Sequence, residues 1–466
     1  MSSMLEPQEI VERALAASTA DGCQVIVSED SDANLRWAGN TLTTNGVSRS
    51  RGVTVIATVG SGIETAVGVV SRSNPDADAI PELVRAAEEA ARRNDPAEDA
   101  GPLVTPDQAP SVTDWDAPPA ETSIGVFSDL AAGLGSAFER ARTADQLLFG
   151  FASHNLSTTY LGTSNGLRLR HVQPTGKVEI NGKSADYARS AWAGVATPDF
   201  VGVDVDALDS ELTERLGWAG RRIALDAGTY ETILPPSAVS DLMIYAYWTA
   251  AGRDAAEGRT VYSAPGGGTR VGERLTDAKL TLRSDPSAPG LECCPFVVAS
   301  SSSSMSSVFD NGLTMGATDW VRGGELTNLI HTRHTAAKTG GGVTPPVDNL
   351  ILEADTPGPT LAEMIASTER ALLLTCLWYI REVDAQTLLL TGLTRDGVYL
   401  VENGAVVGAV NNFRFNVSPV DLLARMTEIG PTAPCLPREW SDYFTRAAMP
   451  PVRVDKFLMS SVSQAS

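Results

Sequence analysis

Short β-branched or apolar runs recur along this chain beside turn-forming Asn-Gly and Gly-rich pairs. Asn45-Gly46, Gly60-Ser61-Gly62, Ser164-Asn165-Gly166, Asn181-Gly182, Asn311-Gly312 and Asn403-Gly404 all sit beside such runs. Asn-Gly tolerates the left-handed conformations that a tight hairpin demands, so these pairs predict antiparallel strands. Helical stretches interrupt them, and the combination predicts an α+β fold. Residues 1–95 form an N-terminal α+β domain: a helix over 7–19, strands over 23–28, 34–37 and 53–59, and a helix over 81–93 with acids first and Arg92 and Arg93 last. Residues 96–119, rich in Pro, Asp and Ala, read as an exposed linker. Residues 120–226 form a central helix and β-meander segment: a helix over 123–142, strands over 147–193, and a helix over 206–216. Residues 227–466 form a strand-rich C-terminal domain. In it a strand at 230–234 leads into a helix opened by Pro235-Pro236, further helices cover 361–371 and 418–429, a meander covers 387–390, 397–401 and 405–410, and a closing strand covers 452–458.

A chain of 466 residues is long enough to bury several cores without disulfide or metal staples. Its 36 basic and 57 acidic residues give a net charge of −21. That balance argues against a nucleic-acid surface and against docking on an anionic membrane, and favours solubility and a basic partner or substrate. The longest apolar runs, such as 371–376, fall far short of the ~20 residues of a membrane span. The opening residues lack a basic and an apolar region, which predicts no secretory signal. The five cysteines (Cys23, Cys293, Cys294, Cys376, Cys435) are odd in number and irregularly spaced, unlike a secreted disulfide framework. The expected compartment is the cytoplasm.

Familiar chemical motifs fail on their contexts. Gly162-Thr163-Ser164-Asn165-Gly166 spells G-x-S-x-G, but strand-like residues flank it on both sides, so it reads as a hairpin turn and not as the strand–turn–helix of a nucleophilic serine. The four histidines are His154, His171, His331 and His334, and no H-E-x-x-H exists. His331 and His334 are the one close pair. They follow strand-like 326–330, no carboxylate or cysteine lies within the next turn, and on a strand i and i+3 face opposite ways. The vicinal Cys293-Cys294 pair is a poor chelate. Gly266-Gly267-Gly268 and Gly340-Gly341-Gly342 lack the Lys-Ser/Thr that completes a phosphate loop. Ser300–Ser307 reads as a loop.

Several phrases together resemble the TldD/PmbA metallopeptidase-like family: Leu35-Arg36-Trp37-Ala38-Gly39-Asn40 with Gly52-Val53-Thr54-Val55; Gly228-Thr229-Tyr230-Glu231-Thr232-Ile233-Leu234-Pro235-Pro236; Val271-Gly272-Glu273-Arg274-Leu275-Thr276-Asp277 with Leu280-Thr281-Leu282 and Asp285-Pro286; Phe309-Asp310-Asn311-Gly312; and Tyr399-Leu400-Val401-Glu402-Asn403-Gly404 with Gly408 and Asn411-Asn412-Phe413. Their order spans nearly the whole chain. In catalytic members, H-E-x-x-x-H on a helix and a late cysteine hold zinc, leaving an open position where water is activated.

This chain departs from that pattern at the decisive helix. Aligned on 271–273, the motif falls at 242–248, where Met243 and Trp248 stand for the histidines and Ile244 for the glutamate. None can replace its counterpart, although the helix reads as amphipathic. Cys435 falls near the late cysteine and is the one vestigial metal candidate. The resemblance therefore implies a TldE-type member lacking the zinc motif, with no catalytic residue, metal ligand or cofactor of its own. It further implies a heteromeric partner, a zinc-bearing TldD-type H-E-x-x-x-H homologue, and substrates that are unfolded or modified peptides. Two other readings stay open: an independent peptidase with a rearranged site, for which His331, His334 and Cys435 are the natural ligands, and a regulatory binder of the gyrase or toxin-modulator kind.

Overall fold

The computed structural model describes residues 5–463. Strands β1 (Gly22–Trp37), β2 (Leu42–Val59), β3 (Ala66–Ser73), β4 (Gln146–Thr163), β5 (Arg168–Ser184) and β6 (Ser190–Ala196) form one antiparallel sheet in the order β3-β2-β1-β4-β5-β6. β1 pairs along most of its length with both β2 and β4, so the sheet runs unbroken across the expected 96–119 boundary. These strands are longer than their apolar runs predict. Polar 29–32, left out of the sequence reading, is held in β1 because it has partners on both sides, with Glu29 opposite Arg51 and Thr158. A polar stretch paired in this way satisfies its backbone as well as an apolar one does.

Two expected hairpin turns are absent for the same reason. Asn45-Gly46 lies inside β2, opposite Leu35 and Asn34, and Asn181-Gly182 lies inside β5, opposite Phe149 and Leu148. Gly182 serves packing: a Cβ there would meet Leu216 at 3.2 Å and Leu212 at 3.5 Å, on the helix that crosses the sheet. The turns at 60–62, 164–166 and 403–404 join strands as expected, and 311–312 forms a turn.

Alternation decides which partner each sheet face meets. Helices α1 (Pro7–Ala17) and α2 (Ile80–Arg93) pack on Val25, Val27, Val53 and Val55. Helices α3 (Ser128–Thr143) and α4 (Val205–Trp218) pack on Leu35, Leu148, Val178 and Ile180 of the same face. The opposite face, with Ile26, Ile56, Leu161 and Leu169, meets Phe296, Val308 and Phe309 of the C-terminal part. The expected linker is fastened down in places: Trp115 packs edge-on against Tyr160, and Gln8 donates to the carbonyls of Trp115 and Ala117.

The C-terminal part holds two sheets. One runs Glu325–Leu326, Thr318–Arg322, Leu280–Ser284, Leu350–Ala354, Ala447–Met449, Ala433–Cys435. The larger begins at β7 (Arg222–Ile223), its outermost strand, and has β8 (Gly228–Leu234) near its middle. Between them lies α5 (Pro236–Trp248), whose residues join both sheets in one core. Expected helix 361–371 stops at Ala366, and Arg370–Leu374 is a strand between β8 and Val398–Glu402. Likewise 418–429 is helical only over Pro419–Leu423, and Met426–Ile429 pairs with Val452–Val462. The expected meander is broken, because Leu389–Leu393 pairs with Trp378–Asp384 and Phe413–Val417 and not with Val398–Glu402. In each case a short apolar run has no period that separates strand from helix, and sheet pairing decides.

Candidate functional site

The amphipathic expectation for α5 is overturned: residues 238–244, 246 and 247 are all buried. A helix enclosed on every side must be apolar or carry satisfied polar groups. Met243 and Ile244 are core residues. Trp248 packs edge-on against Trp440 and Phe444. All three pack against apolar neighbours, and none is placed as a ligand.

What faces Cys435 is an earlier turn of the helix. Cys435 ends the edge strand Ala433–Cys435, opposite Ala447. Burial pushes its thiol up to about 12, against a hydrogen bond with Ser240 that acts the other way. Asp241 follows, fully buried. Its Oδ1 accepts from the Glu439 backbone N–H at 2.9 Å, its main-chain carbonyl accepts from Trp440 Nε1 at 2.8 Å, and its Oδ2 has no partner among the described residues. Burial is the largest cause that raises its pKa well above 3.8 and so favours its protonated form, and its hydrogen bonds pin 439–440 to the helix.

Beyond that segment lies a charged seam. Lys177 and Glu179 alternate with Val178 and Ile180, so they point from β5 toward the C-terminal part, and both are buried. Glu179 takes Trp192 Nε1 at 3.1 Å, Ser441 Oγ at 2.9 Å, Lys177 Nζ at 3.2 Å and an Arg438 nitrogen at 3.5 Å. Arg438 also lies over the Trp378 ring at 4.2 Å and the Trp192 ring at 5.3 Å, and Lys177 reaches Ser441 and Asp442. The Glu439 carboxylate accepts from the backbone N–H groups of Tyr379 and Ile380. Sequence reasoning missed these residues. Two signals existed: Asp241 is the one charged residue in 237–248, and Lys177 and Glu179 are two apart, on one face of a strand.

The histidines lie elsewhere. His154 joins Thr122 Oγ1 and the Pro198 carbonyl, and His171 meets Gln173 and stacks edge-on with Phe296. His331 is buried against Thr335 and beside Gly252, where a Cβ would come within 2.0 Å of the ring; burial lowers its pKa. His334 sits in the helix Arg333–Thr339, its Nε2 buried without a partner among the described residues. The structure does not gather His331, His334 and Cys435, and among the described residues no three of His, Cys, Asp or Glu are placed to hold a metal. The donors at α5 do not fit zinc either: Cys435, Asp241 and Ser240 include no imidazole, and Met243, Ile244 and Trp248 offer no zinc ligand. The G-x-S-x-G turn is the β4–β5 hairpin, and Ser164 Oγ accepts from the Cys23 N–H. Among the described residues no helix is long and apolar enough to cross a membrane.

Residues 227–461 match the model of the PmbA/TldA metallopeptidase C-terminal domain, and residues 23–91 match PmbA/TldA metallopeptidase domain 1. No curated protein matches the chain. Solved structures with the same fold include TldE from Thermococcus kodakarensis, at 14% identity and a TM-score of 0.78 over 97% of this chain and 99% of that one. Two others are described as proposed modulators of DNA gyrase. The one from Thermotoga maritima has 15% identity and a TM-score of 0.75 over 97% of this chain and 99% of that one. The one from Bacteroides thetaiotaomicron has 13% identity and a TM-score of 0.75 over 98% of this chain and 99% of that one.

Proposed function

Because the chain belongs to the PmbA/TldD metallopeptidase family, we propose that it is the TldE-type, non-catalytic subunit of a TldD/TldE zinc peptidase complex. The observation that carries this reading is α5. Its turn against Cys435 presents Ser240 and Asp241, its later turns present Met243, Ile244 and Trp248, and no imidazole reaches the thiol. Water activation needs a metal with three firm ligands and one open position, and this helix supplies none. In the proposed complex the zinc and its H-E-x-x-x-H helix belong to the homologous partner. This chain completes the chamber and helps to hold unfolded or modified peptides, in the cytoplasm, without nucleic acid or membrane.

The test is zinc per chain after purification without added metal or chelator, followed by co-expression with an H-E-x-x-x-H homologue. The expected result is zinc near zero, no peptide cleavage alone, and a stable heteromer with chelator-sensitive cleavage. About one zinc per chain retained through dialysis, or chelator-sensitive cleavage by the chain alone, overturns the reading. A second reading, regulation of a gyrase, rests on the descriptions of the Thermotoga and Bacteroides proteins. Recovery of the peptidase homologue alone in a pull-down counts against it.

A further inference from the structure

A groove of about 870 Å³ opens between the β5–β6 turn, strand β7 and the loops at 395–397 and 411–412. Its volume is that of a ligand site, roughly 300–1,000 Å³. Its charge is out of keeping with a chain of net −21. Lys183, Arg189, Arg222 and Arg395 line it, and Asp396 is the one carboxylate, paired with Arg395. Among the described residues the other three cations close on no carboxylate within 4.0 Å, although Arg189 is near enough to Asp186 for its charge to be felt there. Lys183 lies over the rings of Phe149 and Tyr187, Arg189 donates to the Leu216 carbonyl, and Arg222 donates to the Ala188 carbonyl. Elsewhere arginines such as Arg140, Arg168, Arg270 and Arg453 close on carboxylates. Rings and carbonyls hold a cation in place without cancelling its charge.

Two further features suit a peptide. β7 is the outermost strand of its sheet, so its outer edge offers backbone groups to an added strand. At the rim Tyr187 is 61% exposed, an aromatic of the kind that anchors interfaces.

We propose that this groove binds an acidic, extended peptide segment, with its carboxylates on Lys183, Arg189 and Arg222 and its backbone along β7. The proposal rests on the reading of the chain as a peptide-handling subunit and names the class of peptide it takes. The overall acidity of the chain then repels acidic peptide everywhere but here, which focuses binding on one place.

The test uses the full chain alone, titrated into a fluorescein-labelled peptide of about ten alternating Glu and Val residues and followed by anisotropy at low salt. A matched Lys-Val peptide and a single-stranded oligonucleotide of equal length serve as comparisons. Expected are binding of the acidic peptide that weakens with salt, binding at least about tenfold weaker for the other two, and about tenfold loss in K183E/R222E. Equal binding of the acidic and basic peptides, tighter binding of the oligonucleotide, or an unchanged K183E/R222E variant with a wild-type melting curve overturns the proposal. The comparison of peptides on the wild-type chain stands even if the variant misfolds. Since no partner is present, a negative result removes the groove assignment and leaves co-purification with the homologue to decide the subunit reading.

Discussion

Cys435 and Ser441-Asp442 stand close together in sequence yet meet opposite surroundings. Around Cys435 burial favours the protonated forms of the thiol and of Asp241, beside the Ser240 hydroxyl. Around Ser441 stand residues of opposite charge, buried Lys177 and Glu179 and half-buried Arg438, and the Glu179 carboxylate pairs with both cations. The first region lies within the C-terminal core, while the second joins that core to the face of the six-stranded sheet. The contrast teaches that a helix without metal ligands can keep its place through apolar packing and a few buried hydrogen bonds, such as those of Asp241 with 439–440. Charges remain buried where two parts of the chain must meet in one register, because a misfit there would strand an ion.

The largest effect expected from breaking this contrast falls on the seam. Glu179→Ala leaves half-buried Arg438 without its carboxylate and buried Lys177 with Asp442 alone, and should cost about 3 kcal/mol in urea unfolding. An effect below that of removing a surface pair would show that the seam is wet and weak.

Asp241 comes next. Asp241→Ala strips the acceptor from the Glu439 N–H and should cost about 1–3 kcal/mol, whereas Asp241→Asn keeps that acceptor and should cost less. pH separates the two further. Below 3.8 the folded and unfolded chains both hold this proton. Above it the unfolded chain releases the proton and the folded chain keeps it, so this group's contribution to stability falls as pH rises, by up to ~1.4 kcal/mol per unit. The stability of wild type relative to Asp241→Asn should therefore decline from about pH 4 upward. A flat difference would mean that Asp241 is ionised in the fold.

Cys435 should matter less: Cys435→Ala is expected to cost about 1 kcal/mol. With the thiol held up at about 12, a disulfide reagent at neutral pH should modify it only after denaturant is added. Rapid labelling of the native chain would contradict the packing described. The smallest effect belongs to the exposed pair Arg49–Glu121, where Arg49→Ala should change stability by under ~0.5 kcal/mol.

The α+β class, the first helix and the strand entering α5 could be read from the sequence because local period and turn chemistry specify them. Strand length could not. Polar 29–32 looks like a break, and only its pairing with β2 and β4 makes it strand. Asn181-Gly182 looks like a turn because the same glycine that permits a left-handed bend also permits a helix to lie close. At the site, the absence of histidine from α5 was plain in its residues, whereas the turn of α5 that meets Cys435 was not, since that depends on the edge strand 433–435. The seam was hidden for a similar reason. Glu179 and Arg438 lie far apart along the chain, and nothing local in either announces the other.

The unbroken sheet also bears on how the chain comes to be folded. β1 needs β4, and Gln24 opposite Thr163 closes a loop of well over a hundred residues. Pairings so distant slow a folding reaction, because the entropy of closing the loop is lost before the contacts form. During synthesis the β1–β2 ribbon therefore waits with one long edge open until β4 emerges, and an open edge invites foreign strands. Its charged residues, Glu29, Asp30, Asp32 and Arg36 on β1, are the kind that hold such an edge apart from its neighbours while it waits.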